Sequence, residues 1–116
     1  MKNDPYNVLK IYASTTDKLE SKLLYEYIVH SAWERGLSGI TVYRGIMGYG
    51  SSSKQISSSR FWELTDKLPV VIEVVDRTSI LEEFYQFLEP ELQKMPKGCL
   101  VTTEPVRIRL LKPGKT

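Results

Sequence analysis

From Val8 to Ala13 the chain reads VLKIYA, with apolar and polar side chains alternating among β-branched and aromatic residues, and this predicts a strand. Thr15, Thr16 and Asp17 then offer an N-cap, and Leu24, Ile28 and Ala32 recur at helical spacing beside Leu23 and Tyr27. The predicted helix covers about Lys18 to Arg35 and stops at Gly36 in a left-handed cap. GITVYRG, Gly39 to Gly45, predicts a second strand. Glycine- and serine-rich sequence without a sustained period follows, predicting a long flexible loop at about 46–68, mobile from Ser51 to Ser59. PVVIEVVD, Pro69 to Asp76, is an apolar run broken by Glu73 and reads as a central strand. Ser79 and Glu82 form an S-x-x-E capping box ahead of Ile80, Leu81, Phe84 and Leu88. Pro90 is expected to end or kink that helix, leaving Glu91 to Lys94 as an extra turn. A last strand is predicted from Cys99 to Leu111, with Pro105 at a bend, a bulge or an edge position.

The order β-α-β-β-α-β is that of an α+β, ferredoxin-like sandwich: an antiparallel four-stranded sheet with two helices on one face, residues 1–116 making one domain. Alternation divides the sheet's side chains into two sets. Leu9, Ile11, Ile40, Val42, Val70, Ile72 and Val74 belong under the helices, and Lys10, Tyr12, Thr41, Tyr43, Val71, Glu73 and Val75 fall on the other face. Two tyrosines and two valines are too apolar for a solvated face, so self-association is expected to cover it.

Composition narrows the classes. The 116 residues are 41% hydrophobic and 26% charged, ordinary for a folded protein, and the net charge of +2 makes neither nucleic acid nor an anionic membrane the default partner. The RNA-recognition motif shares this element order, but its third strand carries base-stacking aromatics that PVVIEVV lacks. One cysteine, Cys99, and one histidine, His30, exclude an internal disulfide and a His/Cys metal cluster within one chain. Neither a membrane-length apolar run nor a signal-peptide pattern is seen, and a cytoplasmic location is expected.

Charge is uneven. From Lys94 onward there are six basic residues and one acidic residue, Glu104, which suggests a local anion site. Arg107 and Arg109, two apart on the predicted last strand, would turn their planar guanidinium forks to one side, suited to phosphate or carboxylate. Lys97-Gly98 adds a donor, and Gly48-Tyr49-Gly50 allows a phosphate to approach backbone N–H groups. Surface salt bridges and ordinary turn glycines are the plain alternatives. No nucleophile–base or paired-carboxylate arrangement stands at a recognisable spacing, so catalysis is not expected.

GITVYRGIMGYG resembles the segment leading into the long T-loop of PII signalling proteins, PVVIEVVD resembles their third strand, and KGCLV with VRIR resembles their B-loop and R-x-R segment. The V-Y-R-G-I-M-G-Y-G form is closer to a small bacterial and archaeal PII-like family of unknown function, some members of which are encoded beside fluoride-exporter genes. The resemblance implies a homotrimer binding a small anionic ligand between subunits, with ATP, ADP or AMP as the candidates and no required cofactor. It implies a pocket lined by Thr41, Gly48, Gly50, Glu73, Lys97, Gly98, Arg107 and Arg109. Through its loop such a regulator would signal to a partner protein, and a membrane transporter or channel such as a fluoride exporter is one candidate. Ser51 to Ser53 stand where nitrogen-regulatory PII has basic and glutamine residues, and no tyrosine occurs between Tyr49 and Tyr85, so neither 2-oxoglutarate sensing nor tyrosine modification is expected. The alternative is a ferredoxin-like enzyme or metal-tolerance protein with an intersubunit site.

Overall fold

The computed structural model describes residues 5–51, 56–58 and 67–115. In chain order these form β1 (Tyr6–Ser14), β2 (Lys18–Leu19), β3 (Lys22–Leu23), α1 (Leu24–Glu34), β4 (Ile40–Arg44) and β5 (Met47–Gly48). Then come β6 (Ser57–Ser58), β7 (Pro69–Arg77), α2 (Thr78–Lys94) and β8 (Leu100–Val106). The main sheet has the order β4-β7-β1-β8, every neighbouring pair antiparallel, which is the ferredoxin-like arrangement read from the sequence.

Both helices pack on one face. Leu9, Ile11, Ile72 and Val74 from the sheet, Leu24, Ile28 and Ala32 from α1, and Leu81, Phe84, Leu88 and Leu92 from α2 make one buried cluster. Ile40 and Val42 lean on its margin. The inward set is therefore the one that alternation selects.

The first helix begins at Leu24, six residues later than predicted. Lys18–Leu19 and Lys22–Leu23 pair instead as a hairpin that turns through Glu20 at φ 56°. Leu19 and Leu24 are both buried, and in one continuous helix they would stand about 140° apart, too far to share a face. The hairpin resolves that conflict. Asp17 is then not a side-chain cap: its carbonyl accepts the Leu24 N–H at 2.8 Å. At the other end Gly36 has φ +79°, its N–H bonding the Trp33 carbonyl and the Leu37 N–H that of Ala32, the left-handed cap expected.

The second helix lacks the predicted capping box. It starts at Thr78, and its N-cap, Arg77, makes no side-chain cap hydrogen bond. Its start is tied to β1: the Thr78 N–H and hydroxyl both donate to the Pro5 carbonyl, at 2.8 and 2.9 Å, and Asn7 Nδ2 donates to Thr78 Oγ1 at 2.8 Å. Pro90 does not end the helix, because Leu88 and Leu92 on either side of it are both buried and carry the chain past the missing N–H.

The last strand ends at Val106 rather than Leu111. Val106 stands opposite Tyr6, the first residue of β1, so β8 stops where its neighbour stops. Pro105 sits within this edge strand, where a missing N–H is tolerated. Most of the loop predicted at 46–68, and of its Ser51 to Ser59 portion, lies outside the described residues. What is described includes a pairing that the sequence did not announce, Met47–Gly48 against Ser57–Ser58.

Candidate functional site

The sheet face away from the helices is uneven in polarity. Across it Tyr43, Val71, Tyr12 and Leu100 stand in one row, and Thr41, Glu73, Lys10 and Thr102 in the next. Tyr12, Tyr43 and Leu100 are 39%, 53% and 57% exposed, so the apolar row is open in the single chain. The polar row is bound laterally: the Tyr43 hydroxyl donates to Glu73 Oε1 at 3.3 Å, and Lys10 Nζ lies 3.9 Å from Glu104 Oε2.

Beside Val71, Tyr12 and Leu100, away from Tyr43, the surface folds into a cavity of about 530 Å³. Four chain segments build it. The end of β1 and the residues after it supply Tyr12, Ala13, Ser14 and Asp17; the β5 turn supplies Gly48 to Ser51. The third wall runs from Lys67 to Val71, and Lys97 to Leu100 close the fourth side ahead of β8. These walls are fastened together. The Gly45 N–H donates to the Pro69 carbonyl at 2.7 Å. Thr15 and Leu68 bond twice, Thr15 N–H to the Leu68 carbonyl at 2.9 Å and Leu68 N–H to Thr15 Oγ1 at 3.0 Å.

Gly48 packs closely on the Pro69 ring. A Cβ there would lie 3.0 Å from Cγ of Pro69, a contact tight enough that the ring would have to yield by a few tenths of an ångström.

Asp17 is 7% exposed and lies against the cavity, its Oδ2 accepting the Ser14 N–H at 3.0 Å. Cys99 lines the same space; burial, and next the nearby Asp17 carboxylate, hold its thiol pKa above the ordinary 9.0, so at neutral pH it is a thiol.

Of the eight residues proposed from the sequence, Gly48, Gly50, Lys97 and Gly98 meet in this cavity. Thr41 and Glu73 do not line it; they stand on the open sheet face. Arg107 and Arg109 do not line it either, and strand alternation does not pair them, since both follow the end of β8. Asp17, Lys67 and Tyr12 are site residues that sequence reasoning misses. In the sequence Asp17 reads as a helix cap, and nothing in its spacing indicates a cavity wall. Among the described residues no group of three or more His, Cys, Asp or Glu side chains stands together as a metal site, and no helix is long and apolar enough to cross a membrane.

Comparison with known proteins places this geometry. Among solved structures, CPII, a nitrogen regulatory PII-like protein from Thiomonas intermedia K12 bound to ADP, AMP and bicarbonate, superimposes with a TM-score of 0.59 over 88% of both chains at 16% identity. A PII-like protein from Thermus thermophilus gives 0.53 over 89% of this chain and 90% of its own, also at 16% identity. At these identities the likeness speaks for the fold. Two proteins designated UPF0166 are nearer in sequence. One from Aquifex aeolicus is 39% identical over 101 residues, 87% of this chain and 90% of that one. One from Methanocaldococcus jannaschii is 36% identical over 99 residues, covering 84% and 86%. The family model DUF190, "Uncharacterized ACR, COG1993", matches residues 6–108. The chain belongs to this DUF190 (UPF0166) family, and its fold is that of the PII-like proteins.

Proposed function

We propose that the protein is a non-catalytic PII-like regulator that binds a small anionic ligand, an adenine nucleotide in the first instance, and signals to a partner protein. The observation that carries this reading is the cavity, where the β5 turn, with Gly48 and Gly50, meets Lys97-Gly98. Glycine backbone and lysine charge together suit a phosphate, and a structural neighbour at a TM-score of 0.59 was solved with ADP and AMP bound. The open row of Tyr43, Val71, Tyr12 and Leu100 runs to the same cavity and gives a surface for self-association, read as a homotrimer with the ligand in the clefts between subunits. Arg107 and Arg109 then act from a neighbouring subunit, since within one chain they do not line the cavity. Signalling is a population shift: bound ligand favours one arrangement of the segment after β5, and the partner binds that arrangement better. A transporter or channel is the candidate partner. Calorimetry with ATP, ADP and AMP, with phosphate release followed in parallel, tests the reading. Micromolar binding without turnover is expected, and multiple turnover of the bound nucleotide would return the enzyme alternative.

A further inference from the structure

Asp17 is 7% exposed, and one of its two carboxylate oxygens is engaged by the backbone. Its position is fixed by three backbone hydrogen bonds: Ser14 N–H to Oδ2 at 3.0 Å, its own N–H to the Ser14 carbonyl at 3.1 Å, and its carbonyl from Leu24 N–H at 2.8 Å. Oδ1 has no hydrogen-bond partner among the described residues. No fully buried side-chain polar atom among those residues lacks a partner, so Oδ1 keeps some access, and Asp17 is one of the residues that line the cavity.

Lys67, half-buried, and Lys97, exposed, line the same cavity, and neither forms an ion pair among the described residues. Asp17 and the two lysines line one partly open cavity with no ion pair between them. A simple inorganic anion would satisfy the lysines and leave the carboxylate repelling it. A buried charge left without a partner is costly, so the complementary ligand satisfies both signs.

We infer that Asp17 is a specificity-determining residue of this cavity: its unpaired oxygen accepts a hydrogen bond from a donor group on the ligand, so the site takes a molecule with an anion at one end and a hydrogen-bond donor at the other. This rests on the nucleotide reading above, and in an adenine nucleotide the donor is the exocyclic amino group of the base or a ribose hydroxyl. The backbone bonds that fix Asp17 before any ligand arrives make the acceptor pre-organised.

The test is calorimetry of the full chain, wild type and Asp17→Asn, with ADP, with IDP, which lacks the amino group, and with 2′-deoxy-ADP and 3′-deoxy-ADP. The amide oxygen of asparagine still accepts the Ser14 N–H, while its NH2 turns a donor toward the ligand's donor. Asp17→Asn is expected to weaken ADP roughly tenfold to a hundredfold, as for a hydrogen bond to a charged group. Wild-type protein loses a similar factor on the one analogue that lacks the donor, and on that analogue wild type and variant agree within about twofold. Unchanged ADP affinity in the variant overturns the inference, and so does an equal loss on all four nucleotides, which marks a merely structural role. Should the variant not fold, the wild-type series decides, and equal affinity for all four overturns it. Wild-type protein that binds none of the four instead overturns the nucleotide reading itself, and the inference with it.

Discussion

Tyr43 reaches diagonally across the open sheet face to Glu73, its hydroxyl donating to Oε1 at 3.3 Å, while Thr41 is the residue directly opposite Glu73. The carboxylate that the sequence offered to a ligand is thus engaged inside the sheet of a single chain. Replacing Tyr43 by Phe removes one long, half-exposed bond and is expected to cost less than about 1 kcal/mol of stability. Urea unfolding of the two proteins measures it. A loss above about 2 kcal/mol would mean that this pair is desolvated in the assembled protein.

The apolar row predicts assembly. Tyr12→Glu places a charge at its centre, beside Val71 and Leu100. Wild-type protein is expected at three times the 13.4 kDa chain mass in light scattering, and the variant near 13.4 kDa with its circular dichroism unchanged. A wild-type monomer at micromolar concentration would leave the face solvated.

Arg107→Ala and Arg109→Ala are each expected to weaken nucleotide binding by about 1.5–3 kcal/mol, the range for hydrogen bonds to charged groups. Lysine at either position also weakens it, because lysine has no planar fork. The fold is expected to survive, since both residues follow the last strand and are exposed. Calorimetry on assembled wild type and variants decides, and unchanged affinity would make them ordinary residues of a solvated segment.

Alkaline pH is expected to destabilise the protein through two groups. Burial and then Asp17 raise the Cys99 thiol above 9.0; burial, and next the charges of Glu89 and Cys99, raise the Tyr85 phenol above 10.0. In both cases the folded state holds a proton that the unfolded chain gives up sooner. The contribution of each is therefore complete below its unfolded value, 9.0 for the thiol and 10.0 for the phenol, and is lost as the pH rises through the folded values. Melting temperature followed from about pH 7 to about pH 11 measures this, with a shallower decline expected for Cys99→Ala.

Much of the fold was legible because alternation and helical spacing act over whole elements. Leu9, Ile11, Val70, Ile72 and Val74 alternate in sequence and are buried together on one face. Element ends were less legible, since each is decided by a partner distant in sequence: Pro5 fixes the start of α2, and Tyr6 fixes the end of β8. The cavity was half legible. Gly48, Gly50, Lys97 and Gly98 advertise anion chemistry by residue type, whereas Asp17 and Lys67 acquire significance only when the walls come together.

The bonds from Gly45 to Pro69 and between Thr15 and Leu68 have an evolutionary consequence. They hold both ends of the intervening stretch to the ends of β1 and β7, independently of the residues between Ser51 and Lys67. Closure entropy then grows only logarithmically with length, about 0.6 kcal/mol for each doubling. Changes of length between Ser51 and Lys67 are therefore expected to cost little and to leave the frame around the cavity in register, which makes this the part of the chain best placed to be rewritten for a new partner.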